Sequence, residues 1–494
     1  AMVWSEAHDL TADAQGWGGR VYRVRNNNNT QSQPHLVKRW EQNNWQPTAD
    51  AVFQDGRVYY KSQTDLICRD AATGKLLWKT EGKVPNDHYH GGYSTYSSSN
   101  LPQWPATTEE IFLFGDRVGR QVALIGQTVY HIAGHEQAML PNEYQIRNAV
   151  QNRKVPVTGN MLVAVDAQTG ERRWTVGRSG RNGDPLANVR ILATPLMADD
   201  QLLVPAEIED ELYMVRLDPA TGTMIDKSFV CAYGRTFAPP WSPIAMAIAD
   251  GELYVAPAQG VLVAMSLDRG EPLWVSRYQR SQEDDQRRHF GGNQQTGWGR
   301  DQGILGWEQT AILIGSNTVA LMPWDAEAIL LFDRQNGRQR VQGDGGPAIQ
   351  VRGGIAAAGL LEKKLIVTER NGIVAYDIDT GALAWNAPID RITGRPAMTA
   401  DGLYVPAGDR IIKIDPSRDG KRVAEAPITT PRNDPVGNVF SDGQRLLCFG
   451  MNWAYAANDA DLLLAQLNRK IDQSNDINAL FQRAELFDQL SMPR

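Results

Sequence analysis

Histidines and cysteines are the residues whose spacing would most readily announce chemistry, and here the spacing argues against most of it. His131 and His135, in YHIAGHE, stand four apart. On a helix that spacing puts two imidazoles on one face, where they can share a zinc ion. The surrounding TVYHIAG alternates as a strand does, and four residues along a strand span ~13 Å, too far for one metal. His88 and His90 lie in HYHGGY, a run with the composition of a loop. Cys68, Cys231 and Cys448 form no CxxC, no CxxCH and no adjacent pair. They read as buried thiols serving as small apolar residues, with at most one disulfide among them. GxSxG, HExxH and Walker motifs are missing from the sequence, and DIDTG at 377–381 lacks the rest of a calcium-binding loop.

Composition narrows the function classes further. The 50 Lys+Arg against 57 Asp+Glu leave a net charge of −7, so no basic excess exists to neutralise a phosphate backbone, and nucleic acid is not an expected partner. No apolar run approaches the length of a membrane-spanning helix. The N-terminal AMVWSEAHDL lacks the basic-then-apolar pattern of a signal peptide, and its leading Ala1-Met2 reads as an expression scar. Forty-five Gly and 14 Trp imply many tight turns and a recurring large aromatic, which is what a repeat produces.

The repeat is explicit: DLICRDAATGKLLW at 65–78, MLVAVDAQTGERRW at 161–174, LYMVRLDPATGTMI at 212–225, VLVAMSLDRGEPLW at 261–274, AILLFDRQNGRQRV at 328–341 and GIVAYDIDTGALAW at 372–385. RIIKIDPSRDGKRV at 410–423 is a weaker copy. Each unit joins an alternating apolar run, a turn that is most often Asp-x-x-Thr-Gly and a second run that often ends in Trp. The Asp can accept from backbone amides two and three residues on, and the Gly admits the positive φ that closes the reversal. Asp70, Gly74, Trp78, Asp166, Gly170, Trp174, Asp218, Gly222, Gly270, Trp274, Asp333, Gly337, Asp377, Gly381 and Trp385 are therefore structural repeat positions. A further hairpin precedes each unit, as in AVFQDGRVYY and AIADGELYV.

Four antiparallel strands, A to D, make one unit, and radial stacking buries both faces of each sheet. Seven units fit between about 47 and 427. An eighth is expected from two leftovers: 436–453 as strands A and B, and 20–42 as strands C and D, with Trp40 at the Trp position. The expectation is thus an all-β, eight-bladed β-propeller over 20–456, closed by N-terminal strands pairing with C-terminal ones. Residues 1–19 read as an N-terminal extension and 457–494 as a helical tail.

The A-x-D-x-x-T-G-x-x-x-W pattern, clearest in AVDAQTGERRW and AYDIDTGALAW, resembles the repeat of pyrroloquinoline-quinone (PQQ) type propellers over about 20–455. Two functional classes carry that repeat: quinoprotein alcohol dehydrogenases, and non-catalytic BamB-like propellers. In the first, the resemblance implies a quinone over the axis, Ca²⁺ held by a Glu, an Asn and an Asp, a neighbouring Asp base and often a vicinal disulfide. Here no adjacent cysteines, no CxxCH and no stretch matching the calcium ligands occur. The reading therefore points away from an enzyme and needs no cofactor, with PQQ and calcium as the alternative. The resemblance also implies an extracytoplasmic location, in the periplasm or cell envelope of a bacterium.

Binding is expected where loops are long. A–B and C–D turns lie on one face of the disc, and B–C and D–A connections on the other. The long segments 81–117, 136–158 and 279–309 all belong to the second face, and long loops on a rigid scaffold commonly bind. The candidate partner-binding residues there are His88, Tyr89, His90, Tyr93, Trp104, Arg287, Arg288, His289, Phe290, Trp298 and Trp307. Aromatic and Arg side chains are frequent interface anchors. The expected function is a platform for a protein, peptide or envelope partner. A sensor or ligand-binding domain of a larger protein is the third reading. In the tail, Leu462, Leu463, Leu464, Leu467, Leu480, Phe481, Leu486 and Leu490 follow a helical period. A split near 473–476 is expected, capped by Ser474 or Asn475, and NALFQRAELFDQL resembles the opening of a helical-repeat array.

Overall fold

The computed structural model describes residues 2–7, 50–61, 65–80, 118–134, 159–177, 185–187, 189–233, 243–280, 307, 310–341, 346, 348–351, 354–428, 435–443, 445–450, 453–458, 460–474 and 476–489. Seven blades are each cut from one continuous stretch of chain and run antiparallel from A to D. Blade 1 is Ala51–Gln54, Arg57–Lys61, Leu66–Asp70 and Leu76–Lys79. Blade 2 is Val122–Ile125, Thr128–Ala133, Met161–Asp166 and Arg172–Val176. The third, fourth, fifth, sixth and seventh end in the D strands Met224–Ala232, Pro272–Arg277, Gln339–Arg340, Leu383–Pro388 and Lys421–Pro427.

Each unit folds as its residues dictate. In blade 2, Asp166 Oδ1 accepts from the amides of Gln168 (2.8 Å) and Thr169 (2.9 Å). Gly170, at φ +78°, donates back to Asp166 O at 2.9 Å. Asp70, Asp218 and Asp377 hold their turns in the same way. Burial falls outward: B and C strands are largely buried, whereas D strands such as Lys421–Pro427 are exposed.

The core lies between blades. Tyr59, Leu66 and Cys68 of blade 1 meet Val129, Val163 and Val165 of blade 2, and comparable clusters join each later pair. The repeat Trp adds a directional latch. Trp78, Trp174 and Trp274 donate their indole N–H to Ala167 O (3.2 Å), Pro219 O (2.9 Å) and Arg334 O (2.9 Å) in the next blade's turn. A Cβ on Gly170, Gly222 or Gly337 would lie within 2.7 Å of the same rings, so glycine is needed for contact as well as for φ. In blade 3, where Asp226 replaces the Trp, Arg216 takes over and its guanidinium donates to Leu267 O of blade 4.

Two expectations are corrected. The propeller is seven-bladed, not eight-bladed, when counted in blades built by the repeat. Of the two leftovers, 436–453 does supply a pair of strands, Val439–Ser441 and Arg445–Phe449. A composite sheet of different make fills the seam between blades 7 and 1. It takes three C-terminal strands, Val439–Ser441, Arg445–Phe449 and Trp453–Asn458, and one N-terminal strand, Met2–Ala7. Residues 20–42, with Trp40, lie outside the described residues. The third C-terminal strand escaped the repeat pattern because no Asp-x-x-Thr-Gly follows it. The composite sheet packs Val439 and Cys448 on Ala397 and Tyr404 of blade 7, and Leu447 and Phe449 on Val58 and Tyr60 of blade 1.

The tail forms α1 (Ala460–Ser474) and α2 (Ile477–Gln489), joined through Leu464, Leu467, Ile471 and Ala479. The cap of α2 is Asp476, which accepts from the amides of Asn478 (2.9 Å) and Ala479 (3.3 Å). Ser474 instead donates to Lys470 O at 2.7 Å, because it still lies within α1. Neither helix is long and apolar enough to cross a membrane. The thiols of Cys68 and Cys448 are buried and that of Cys231 is half-buried; all three are free. Burial pushes them up to about 11, 12 and 11 respectively, which keeps them protonated and unreactive at neutral pH.

Candidate interaction face

The face bearing the B–C and D–A connections rests on a floor of buried charged groups, most of which tie one blade to another segment. Lys61 closes strand B of blade 1. Its ammonium donates to Gly119 O (2.6 Å) and Ile132 O (2.5 Å) on the side of blade 2. His131 sits beside it in strand B of blade 2, paired across to Val122 and Val163. Burial, with the Lys61 charge adding to it, pulls the imidazole down to about 3, so it is neutral and its Nδ1 has no hydrogen-bond partner.

Blade 3 pairs Arg190 with Glu207 at facing register positions, and Glu207 is 2% exposed. Between blades 4 and 5, the carboxylate of Asp325 accepts from Tyr278 Oη (2.8 Å) and Arg280 Nε (3.0 Å). Burial nonetheless pushes Asp325 above its ordinary range, and Tyr278 far above its own. At the seam, Arg395, ahead of blade 7, forms an ion pair with Asp50, ahead of blade 1. The backbone amide of Arg395 donates to Asn438 Oδ1 at 2.9 Å, ahead of the composite sheet. One ion pair and one amide contact thus bind three segments drawn from distant parts of the chain.

These groups fix the base from which the long segments spring. His88, Tyr89, His90, Tyr93, Trp104, Arg287, Arg288, His289, Phe290 and Trp298 lie outside the described residues. Trp307 is described, and its expected role is corrected. It is 1% exposed, donates its indole N–H to Ala328 O at 3.0 Å and abuts Gly354, so it is a core residue joining blades 5 and 6. Its Gly-Trp context could not distinguish loop from core. Sequence reading missed Lys61, Arg190, Glu207, Arg280, Asp325, Asp50 and Arg395. A charge closing an apolar strand, as in VYYK and VPAE, was the available signal.

Among the described residues no three His, Cys, Asp or Glu side chains gather to hold a cation. Glu207 and Asp325 are each engaged by an arginine in separate places.

The family model described as outer membrane protein assembly factor BamB matches residues 138–282 and 215–480, together more than half of the chain. The chain belongs to the BamB family. Within the matched span lie blades 3 to 7 and the repeat turns from Asp166 to Asp415. Among solved structures the chain is similar to BamB from Moraxella catarrhalis, at 14% identity and a TM-score of 0.48 over 83% of this chain and 96% of that one. It is also similar to quinohemoprotein alcohol dehydrogenase from Comamonas testosteroni, at 12% identity and 0.48 over 84% and 75%. The computationally designed Ika8 protein matches at 11% identity and 0.49 over 84% and 96%. No curated protein gives a significant match. Both BamB and a dehydrogenase appear among these structures, so overall likeness does not choose a function.

Proposed function

We propose that this BamB-family propeller is a non-catalytic platform. Its partner is a protein or peptide of the bacterial cell envelope, engaged through 81–117, 136–158 and 279–309 on the B–C/D–A face, in an extracytoplasmic compartment. The observation that carries the reading is the use made of charge beneath that face. Lys61, Asp325 and Arg395 are engaged in blade-to-segment contacts and Glu207 in an ion pair within blade 3, which suits a rigid mount better than a reacting centre. Family membership supports a protein partner in the same direction.

The test is selection of peptides from a random library on the immobilised full chain, followed by hydrogen-exchange mapping of the selected ligands. Protection concentrated in the three long segments is the expected result. Protection confined to the A–B and C–D turns, such as Asp55–Gly56 and Asp166–Gly170, would overturn the assignment of the face.

A further inference from the structure

The composite sheet contains a strand held without a turn. In blades 1 to 7 a C–D turn delivers strand D to its partner. In the composite sheet the C-position strand, Trp453–Asn458, is followed by α1, and the D position is filled by Met2–Ala7 from the other end of the sequence. Its register nevertheless reproduces the repeat. Trp4 stands opposite Ala456, as Trp174 stands opposite Ala164, Trp274 opposite Ala264 and Trp385 opposite Ala375. The irregularity is reproduced as well. Met2 pairs with Ala457, skipping Val3, as Arg172 pairs with Val165 skipping Arg173, and Pro272 with Met265 skipping Leu273. No turn imposes this offset at the seam, so the strand pairing itself sets it.

We infer that the outer edge of Trp453–Asn458, occupied here by Met2–Ala7, is a strand-acceptor site. It takes a short extended segment with Trp opposite Ala456, and it can accept Met2–Ala7 from a second copy as well as from its own chain. Main-chain pairing supplies the affinity and the Trp position fixes the register, as in strand addition generally. The tether through residues 8–49 favours the chain's own strand by raising its effective concentration. A strand offered in trans competes only when in excess or when the tether is cut.

The experiment uses the full chain with a protease site inserted between residues 10 and 15 and cleaved after folding. Native mass spectrometry should show the N-terminal fragment still bound. An excess of fluorescein-labelled AMVWSEAH should displace it, and the same peptide carrying Trp4→Ala should bind at least about tenfold more weakly. Loss of the fragment with no labelled peptide bound, while the thermal transition matches that of uncut protein, would overturn the proposal. If the cut chain instead loses its transition, the uncut chain decides. Ser5→Cys with Tyr455→Cys, at facing register positions, should cross-link on oxidation. At high protein concentration a fraction of the cross-links should join two copies. No cross-link, or intramolecular cross-links only at every concentration, would sink exchange.

Discussion

Trp174 donates its indole N–H to Pro219 O at 2.9 Å, and a Cβ placed on Gly222 would lie 2.7 Å from its ring. One tryptophan thus reads two features of the next blade's turn, a carbonyl and an absent side chain. Trp174→Ala empties a buried interface and should cost about 3–5 kcal/mol in denaturant unfolding. Gly222→Ala, which strains a φ of +72° and overpacks the ring, should cost about 1–3 kcal/mol. A smaller effect from Trp174→Ala than from an exposed D-strand change such as Val423→Ala would contradict the latch.

Trp385 packs on Gly420 in the same manner, but its Nε1 has no hydrogen-bond partner. The turn it meets, DPSRDG, is one residue longer than the others and contains a short 3-10 segment at Pro416–Arg418. Trp174→Phe should therefore lose about 1 kcal/mol more than Trp385→Phe, since only the former breaks a hydrogen bond and strands a carbonyl. Equal losses, measured by chemical unfolding, would show that the turn carbonyl contributes nothing.

His131 should give the protein an acid-sensitive limb. Its ordinary pKa of 6.5 falls to about 3 in the fold, through burial first and the neighbouring Lys61 second. The unfolded chain then binds the proton more readily than the folded one. The stability linked to this residue is present above 6.5 and is lost as pH falls toward 3, at up to about 1.4 kcal/mol per pH unit. His131→Leu should flatten stability between pH 6.5 and 4. An unchanged slope in that window would show that His131 is not the group responsible.

Asp50 and Arg395 join the lead-in segments of the first and seventh blades. Arg395→Met leaves a carboxylate without its counter-ion and should cost about 3–5 kcal/mol, whereas Arg395→Met with Asp50→Asn should recover part of that loss. Strict additivity in the double-mutant cycle would mean that the two side chains do not act as a pair.

The repeat made the seven blades legible because each Asp-x-x-Thr-Gly turn is a local device whose residues serve their own neighbours. Asp166, Gly170 and Trp174 could be assigned structural roles without knowing what lay beside them. The seam was legible only in outline: closure by pairing of N-terminal with C-terminal strands was expected and is found, but the N-terminal strand that does it was not. Met2–Ala7 has no turn, no Gly and no Asp to announce it, and its pairing with Trp453–Asn458 is a contact between the two ends of the sequence. The floor of the interaction face was hidden similarly. Nothing local to Asp50 points to Arg395, and Trp307 looked like a loop anchor because its buried neighbours, Gly354 and Ala328, come from later strands.

The central claim, a propeller that binds partners and performs no quinone chemistry, is tested most directly by calorimetric titration of PQQ into the purified protein with and without Ca²⁺. The account predicts no binding heat and no shift in melting temperature under either condition. Tight, Ca²⁺-dependent binding at one site per chain would contradict it.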